Sequence, residues 1–342
     1  MASTPPRAKV LTPDLLARPA RYAARVVARE RLRRALGAAP ERRDPPGEDT
    51  LHDFRVALRR LRTWLRAYDP DLDDTVGRGT LRRLRRLSRR TGRARDLEVQ
   101  LRWLAQPTIQ LGPLAVRAAG ELGPRIQAEY ADALAAAFDL VAGELPRLGT
   151  KLDKQLRQYQ VKVPLDATRG APSMAVVTGR LLRAAASDVR ATLGEATSPD
   201  HAAEAHRARL AVKHLRYLVE SLGEHPRGVA GAAARLATLQ DALGRLHDRH
   251  VLLDRLAHEL SSRGRSRALT ALEAAVRRAA AVEFRRVRRL AAGFGTAAAL
   301  RTVDRVATLL SGESQPTRPG PDHPLPLSGA GTGMALITTG QS

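Results

Sequence analysis

A short basic stretch, LHDFRVALRRLRTWL at residues 51–65, carries cationic side chains at regular intervals. In an α-helix, positions i, i+3, i+7 and i+10 fall within an arc of about 80° on one side. A histidine and three arginines occupy these positions, and we call them the first ridge: His52, Arg55, Arg59 and Arg62. Arginine donates paired hydrogen bonds to phosphate oxygens and stays charged at physiological pH. The first ridge therefore predicts a binding site for an anion that carries several charges.

The same pattern recurs in AHRARLAVKHLRYLVE, displaced by 154 residues, from position 52 to position 206. We call this copy the second ridge: His206, Arg209, Lys213 and Arg216. A second matched block lies about thirty residues after each ridge, in LRRLSRRTGRARDLEV and LATLQDALGRLHDRHV, with a displacement of 152. It pairs Gly92 with Gly244 and Asp96 with Asp248. The chain therefore contains two related halves, which we expect to form helical bundles that face each other around a pseudo-twofold axis.

An apolar stripe accompanies each ridge along the same helix. The stripes are Phe54, Leu58, Leu61 and Leu65 in the first copy, and Ala208, Val212, Leu215 and Val219 in the second. We expect each helix to bury its stripe and to present its ridge, which is about 15 Å long, beside it. Neighbouring like charges cost a few tenths of a kcal/mol per pair, so helix stability does not explain them. A plain solvated surface is the alternative, and the duplication favours a binding site over it.

Composition limits the class of protein further. The 342 residues contain 58 Lys and Arg against 35 Asp and Glu, a formal net charge of +23. Such a balance favours a polyanionic partner: nucleic acid, an anionic membrane or a phosphate polymer. The sequence contains no cysteine, which excludes disulfides, thiolate catalysis and cysteine-based zinc sites. No signal peptide or long apolar run is recognisable, so we expect a cytoplasmic protein without membrane association.

Helical periodicity runs through most of the chain, between clusters of Pro and Gly, and predicts an all-α protein. Residues 311–342 are rich in Pro, Gly, Ser and Thr and show no period, which is typical of a disordered tail. Trp64 and Trp103 lie at or beside apolar helical positions, and we expect both in the core.

Further basic and acidic residues support the ridges less strongly. Four arginines of the helix after the first ridge share one face and are lower-ranked candidates for the same anion site: Arg82, Arg86, Arg89 and Arg93. Lys151, Lys154, Arg157 and the run FRRVRRL at 284–290 fit a plain surface equally well. We expect Asp96 and Asp248 to hold basic side chains from a neighbouring helix rather than to contact a ligand.

Metal binding and catalysis find little support in the sequence. His247, His250, Asp254 and His258 share a helical face, but only neighbouring pairs could chelate one ion and no His-Glu-x-x-His motif is present. We also find no nucleophile with a base, no acidic dyad and no glycine-rich phosphate loop. We therefore predict no metal, no cofactor and no catalytic residue.

These duplicated motifs resemble the signature of the CHAD family, the conserved-histidine α-helical domains. The resemblance extends over residues 13–310, with repeats at about 13–162 and 172–310. It implies two antiparallel four-helix bundles with pseudo-twofold symmetry and a basic central cavity that binds inorganic polyphosphate through the two ridges. It also implies a location at polyphosphate granules. The Glu-x-Glu-x-Lys motif of the triphosphate-tunnel domain that often precedes CHAD is absent from the sequence, so we expect a stand-alone CHAD protein.

The main hypothesis is a non-enzymatic protein that binds linear polyphosphate. The second is a protein that binds nucleic acid through its backbone, because a charge of +23 attracts DNA and RNA. Single-strand binders add aromatic stacking platforms, and an aromatic content of 3% argues against that version. The third, an enzyme of phosphate metabolism, would need carboxylates arranged for Mg²⁺, whereas the ridges carry mainly cations.

Overall fold

The computed structural model describes residues 11–40, 48–106, 111–158, 171–223, 226–263 and 266–312. Regular structure in these ranges is helical, apart from one isolated β-bridge between Pro19 and Ser173. The helices are α1 (Pro13–Ala17), α2 (Ala20–Gly37), α3 (Glu48–Ala67), α4 (Asp69–Leu72), α5 (Arg78–Leu104), α6 (Pro113–Arg157), α7 (Met174–Glu195), α8 (Ala202–Ser221), α9 (Val229–Arg263), α10 (Arg267–Ala292) and α11 (Phe294–Ser311). The all-α prediction is confirmed, and residues 313–342 of the predicted tail lie outside the described residues.

The helices pack around two apolar cores. The larger core joins α2, α3, α5 and the second part of α6 with α7, α8, α9 and α11. The smaller core joins the later parts of α5 and α9 to the beginning of α6 and to α10. Trp64 lies in the larger core and Trp103 in the smaller, at 2% and 3% exposure, as predicted. The pseudo-twofold relation between the halves and the repeat boundaries remain predictions.

The two halves differ in their last helices. The first half ends in α6, which runs for 45 residues through Pro124 and Pro146. The second half divides a similar length between α10 and α11 at Gly293, whose extended backbone ends one helix and begins the next. A β-carbon at this position would lie 3.0 Å from the Arg289 carbonyl oxygen, so the tight junction favours glycine.

Two buried polar contacts hold α3, the helix of the first ridge, against its neighbours. The indole nitrogen of Trp64 donates to the Ala24 carbonyl oxygen of α2 at 3.0 Å. The hydroxyl groups of Tyr68 and Thr178 are hydrogen-bonded at 2.9 Å, which connects the end of α3 to α7 in the other half. Buried hydroxyl and indole groups need such partners. Among the described helices, none is long and apolar enough to cross a lipid bilayer.

We predict that Gly179→Ala destabilises the contact between α7 and α11. The added β-carbon would lie 2.5 Å from Ser311 Oγ and 2.7 Å from the Ala307 carbonyl oxygen, closer than such atoms pack. Forcing extra volume into a close-packed contact costs about 1–3 kcal/mol, measurable by denaturant unfolding. Gly194→Ala on the same helix is the control, because no atom lies within 4 Å of its added β-carbon. Equal stability of both variants would contradict this packing.

Candidate anion-binding site

The two ridges lie on α3 and α8, which pack against each other. The apolar stripes beside the ridges are buried as expected, with Phe54, Leu61, Val212 and Leu215 fully inaccessible to solvent. Each stripe therefore holds its ridge at the boundary between core and solvent. His52 is exposed, and the other seven ridge residues are half-buried.

The cationic groups of the two ridges approach one another. Lys213 lies within electrostatic range of Arg209 on its own helix and of arginines on α3. Arg209 lies within the same range of Arg59. We call the residues that meet here the central cluster: Arg55, Arg59, Arg62, Arg209 and Lys213. The structure thus brings together three members of the first ridge and two of the second.

Burial and mutual repulsion make the charged state of the central cluster costly. Burial, followed by repulsion from Arg209 and Arg59, lowers the pKa of Lys213 to about 7. Burial and repulsion from Arg59 lower the pKa of Arg55 to about 10. Both effects disfavour a positive charge. An anion placed among these groups would attract their positive charges, and it would thereby counteract the effects of burial and of repulsion.

The central cluster lacks the carboxylate partners that other arginines of the protein have. Arg55 donates to Thr91 Oγ1 at 3.4 Å. No member of the cluster forms an ion pair within 4.0 Å with any carboxylate of the described residues. By contrast, Arg125 of α6 pairs with Glu259 of α9 at 2.9 Å. The donors of the cluster are therefore largely available to a ligand.

Arg216, the last member of the second ridge, is placed differently. Its Nε lies 3.6 Å from Glu220 Oε1, one turn further along α8. The same carboxylate accepts a hydrogen bond from Arg60 Nη2 of α3 at 3.0 Å. Arg216 therefore has an acidic partner that Arg62, its counterpart in the first ridge, lacks among the described residues.

The two ridge histidines lie in unlike surroundings. His206 contacts His247 of α9, with their Nδ1 atoms 3.4 Å apart and their ring centroids 4.7 Å apart. Burial lowers the pKa of both, and that of His247 to about 3 with added repulsion from Arg209. His52 instead adjoins Arg95, which together with burial lowers its pKa. His247 and Arg95 occupy matched positions of the two repeats. The alignment of the repeats could therefore have predicted that both residues lie beside the site.

Asp96 and Asp248 lie beside the central cluster, close to each other. Asp96 is within electrostatic range of Arg55 from its own half and of Arg209 from the other. Asp248 is within range of Arg209 and Arg249. Desolvation raises the pKa of Asp96 and that of Asp248. The expected attraction to basic side chains is present, but without an ion pair within 4.0 Å among the described residues.

The arginines of α5 do not act as one face. All four candidates, Arg82, Arg86, Arg89 and Arg93, are exposed. Arg86 pairs with Glu144 of α6, and Arg93 adjoins Glu129 of the same helix. Arg89 lies instead beside Arg62, together with Arg85, which the sequence did not single out. The packing of the helices determines which side of α5 faces α3. The spacing of the arginines along α5 does not predict that side.

Two of the four residues considered for metal binding make other contacts. His250 Nε2 lies 2.8 Å from the Pro199 carbonyl oxygen, and His247 lies against His206. In the described part of the chain, no three His, Cys, Asp or Glu side chains are grouped to hold an ion. The arrangement thus offers clustered cationic donors, whose chemistry is the binding of anions with several charges.

Comparisons with known proteins agree with this geometry. A model of the CHAD domain matches residues 26–257. The crystal structure of the CHAD domain from the plant Ricinus communis superimposes with a TM-score of 0.61 at 23% identity, covering 88% of this chain and 97% of that one. PptA from Streptomyces chartreusis superimposes with a TM-score of 0.58 at 20% identity, covering 83% and 99%. No curated protein matches the sequence.

We predict that Lys213 titrates near pH 7 in the free protein and that its pKa rises when tripolyphosphate is added. The protein has five lysines, so reductive methylation with a ¹³C label should resolve their titrations by NMR. Lys213→Arg assigns the signal by removing it. Arg59→Ala should raise the pKa of Lys213, because it removes a repelling charge. A Lys213 signal that titrates near the model-peptide value of about 10.4 would refute the clustering of charge.

Proposed function

The chain belongs to the CHAD domain family, and we propose that it binds inorganic polyphosphate between its two ridges. The family resemblance supports this class of ligand, because it implies polyphosphate binding through the same basic positions. In this proposal the polymer lies on the central cluster, with His206 and His247 beside it. The protein binds the polymer without hydrolysing it and associates with polyphosphate granules in the cytoplasm.

One observation carries the proposal: half-buried cations from both halves converge, with no ion-paired carboxylate among the described residues. Desolvation and like-charge repulsion oppose this arrangement in the free protein. A ligand with one negative charge would relieve only part of this repulsion. A flexible chain with a charge on every phosphate places negative charge beside each cation, and the arginine forks bind its oxygens in pairs.

Nucleic acid is the second candidate, and a separate surface favours it. On α10, Val282, Arg285, Arg288 and Arg289 line an open groove of about 450 Å³. Exposed arginines of this kind attract nucleic-acid backbones without selecting a sequence. Two features favour polyphosphate for the central cluster. Its cations are half-buried between helices, where a thin flexible chain fits better than a rigid duplex, and both tryptophans are buried and cannot stack on bases.

We predict that polyphosphate remains bound in the presence of excess duplex DNA and RNA at near-physiological salt. The variant Arg55→Ala/Arg59→Ala/Arg209→Ala/Lys213→Ala should lose at least about a hundredfold in affinity, because each phosphate contact releases counterions and four contacts are removed. Titration calorimetry and competition with labelled DNA measure both quantities.

The matched control for this variant is Arg278→Ala/Arg285→Ala/Arg288→Ala/Arg289→Ala. It removes the same number of charges from the exposed side of α10. Equal loss in both quadruple variants, or equal competition by nucleic acid, would show that the charge acts diffusely and would overturn the proposal. Release of orthophosphate by the purified protein would contradict binding without hydrolysis.

We predict that polyphosphate affinity falls as the pH rises above 7. The pKa of Lys213 in the free protein is lowered to about 7, and a bound polyanion raises it, so binding takes up a proton between the two values. From this residue alone, affinity falls by up to about tenfold per pH unit in that range. Lys213→Arg keeps a charge throughout and should flatten the profile above pH 7. An unchanged slope in this variant would exclude the lysine as its source.

A further inference from the structure

The two ends of the central cluster contain equivalent positions with opposite charges. With the displacement of 154 residues, Arg60 corresponds to His214 and Arg66 corresponds to Glu220. Across the interface of α3 and α8, the structure pairs Arg60 with Glu220 and sets Arg66 opposite His214. Arg60 donates to Glu220 at 3.0 Å at one end, and Arg66 lies within electrostatic range of His214 at the other. The two ends therefore correspond, but only the first contains an acidic residue in this pair.

At the first of these ends, the Glu220 carboxylate neutralises part of the positive charge. Its carboxylate is largely buried, at 10% exposure, and it holds both Arg60 and Arg216. The guanidinium groups of these two arginines also lie over the ring of Tyr217, at 5.9 and 5.1 Å. Arg31 adds a further charge here, but it is buried against the ring of Trp64 at 4.9 Å. This end therefore contains a carboxylate in contact with its arginines, which an approaching polyanion would meet.

The opposite end continues the central cluster outward. Arg62 adjoins Arg66 on its own helix and Arg85 and Arg89 on α5. These three neighbours are exposed, and none forms an ion pair with a carboxylate of the described residues within 4.0 Å. Asp188 of α7 lies within electrostatic range of His214 at this end.

The second half carries no equivalent of this arginine group. With the displacement of 152 residues, Arg85 corresponds to Ala237 and Arg89 to Asp241. Arg66 corresponds to Glu220. In the second half, a neutral or acidic residue therefore stands at the position of each of the three arginines. A scattered excess of surface arginine would not be confined to one end of a duplicated site while the shared cations at its centre are kept.

We propose that the central cluster is open at one end only: a bound phosphate polymer extends outward over an outer subsite, formed by Arg66, Arg85 and Arg89, and its path ends at Glu220. This inference rests on the proposed function. It adds an outer subsite at one end of the central cluster and a closed end at Glu220. A short anion fills only the central cluster. A longer chain reaches the outer subsite and gains its contacts, so the subsite selects for chain length.

The experiment compares tripolyphosphate with long-chain polyphosphate on the full-length protein. Arg85→Ala/Arg89→Ala should weaken the long chain by about tenfold, since two phosphate contacts are lost, and should change tripolyphosphate binding less than twofold. Arg285→Ala/Arg289→Ala removes two exposed charges from α10 and is the matched control. Equal effects on both ligands, or equal effects of both double variants, would overturn the outer subsite.

Two further substitutions test the difference between the ends. Arg66→Glu places an acid where Glu220 stands in the other half, and should reduce long-chain affinity as strongly as the α5 double variant. Glu220→Gln releases Arg60 and Arg216 and should raise long-chain affinity, by about threefold or more. Circular dichroism and unfolding midpoints identify any variant that fails to fold. The α5 double variant changes only exposed side chains, so it tests the outer subsite even if Arg66→Glu or Glu220→Gln does not fold.

The failure of this inference is distinguishable from the failure of the proposed function. If wild-type protein does not bind polyphosphate, or if the central quadruple variant binds as well as wild type, the proposed function is wrong. If wild-type protein binds through the central cluster but Arg66→Glu and the α5 double variant leave long-chain binding unchanged, only the outer subsite is wrong.

Discussion

Holding like charges together out of bulk water is the constraint on which the centre of this protein depends. Burial of an aliphatic or aromatic side chain contributes about 1.5–3 kcal/mol, and it is set against both the desolvation and the mutual repulsion of the half-buried cations. The stripes of α3 and α8 bury several such side chains each, among them Phe54, Leu58 and Leu215. Packing therefore outweighs repulsion. It fixes the helices in a position where their cations converge, and the remaining electrostatic cost is available to be relieved by a ligand.

The distribution of carboxylates gives the basic surface its shape. Peripheral arginines are paired across helix contacts, as Arg125 is with Glu259 and Arg245 with Glu283. Asp96 and Asp248 attract the central arginines from a distance without forming close ion pairs. This arrangement moderates the repulsion inside the cluster and leaves the arginine donors available. Carboxylates thus neutralise charge around the site, whereas no carboxylate of the described residues forms an ion pair within 4.0 Å with the cations at its centre.

Much of the fold and part of the site could be predicted from the sequence, and the reason differs between residues. The ridges follow from spacing within one helix, and the duplication indicates that they belong together. The structure brings Arg59 and Lys213 within electrostatic range of each other, and their role in binding stays a prediction. Contacts between helices were not accessible in this way. The partition of the α5 arginines, the contact of His206 with His247 and the pairing of Arg216 with Glu220 all depend on how helices pack. The junction at Gly293 could not be predicted from periodicity, because the segments on both sides of it have the same helical period.

In the proposed binding mode, the symmetry of the ligand gives the divergence of the two halves a consequence. A linear phosphate chain reads the same from either end, so a site with unlike ends would not select a direction, as it would for a nucleic acid. It would decide instead where the rest of the polymer lies. The positions that the repeats share, such as Arg55 with Arg209 and Arg59 with Lys213, meet at the centre, where either half serves equally. The positions that differ, above all Arg66 and Glu220, lie at the ends, where a substitution would alter the proposed length selection without changing the cations at the centre.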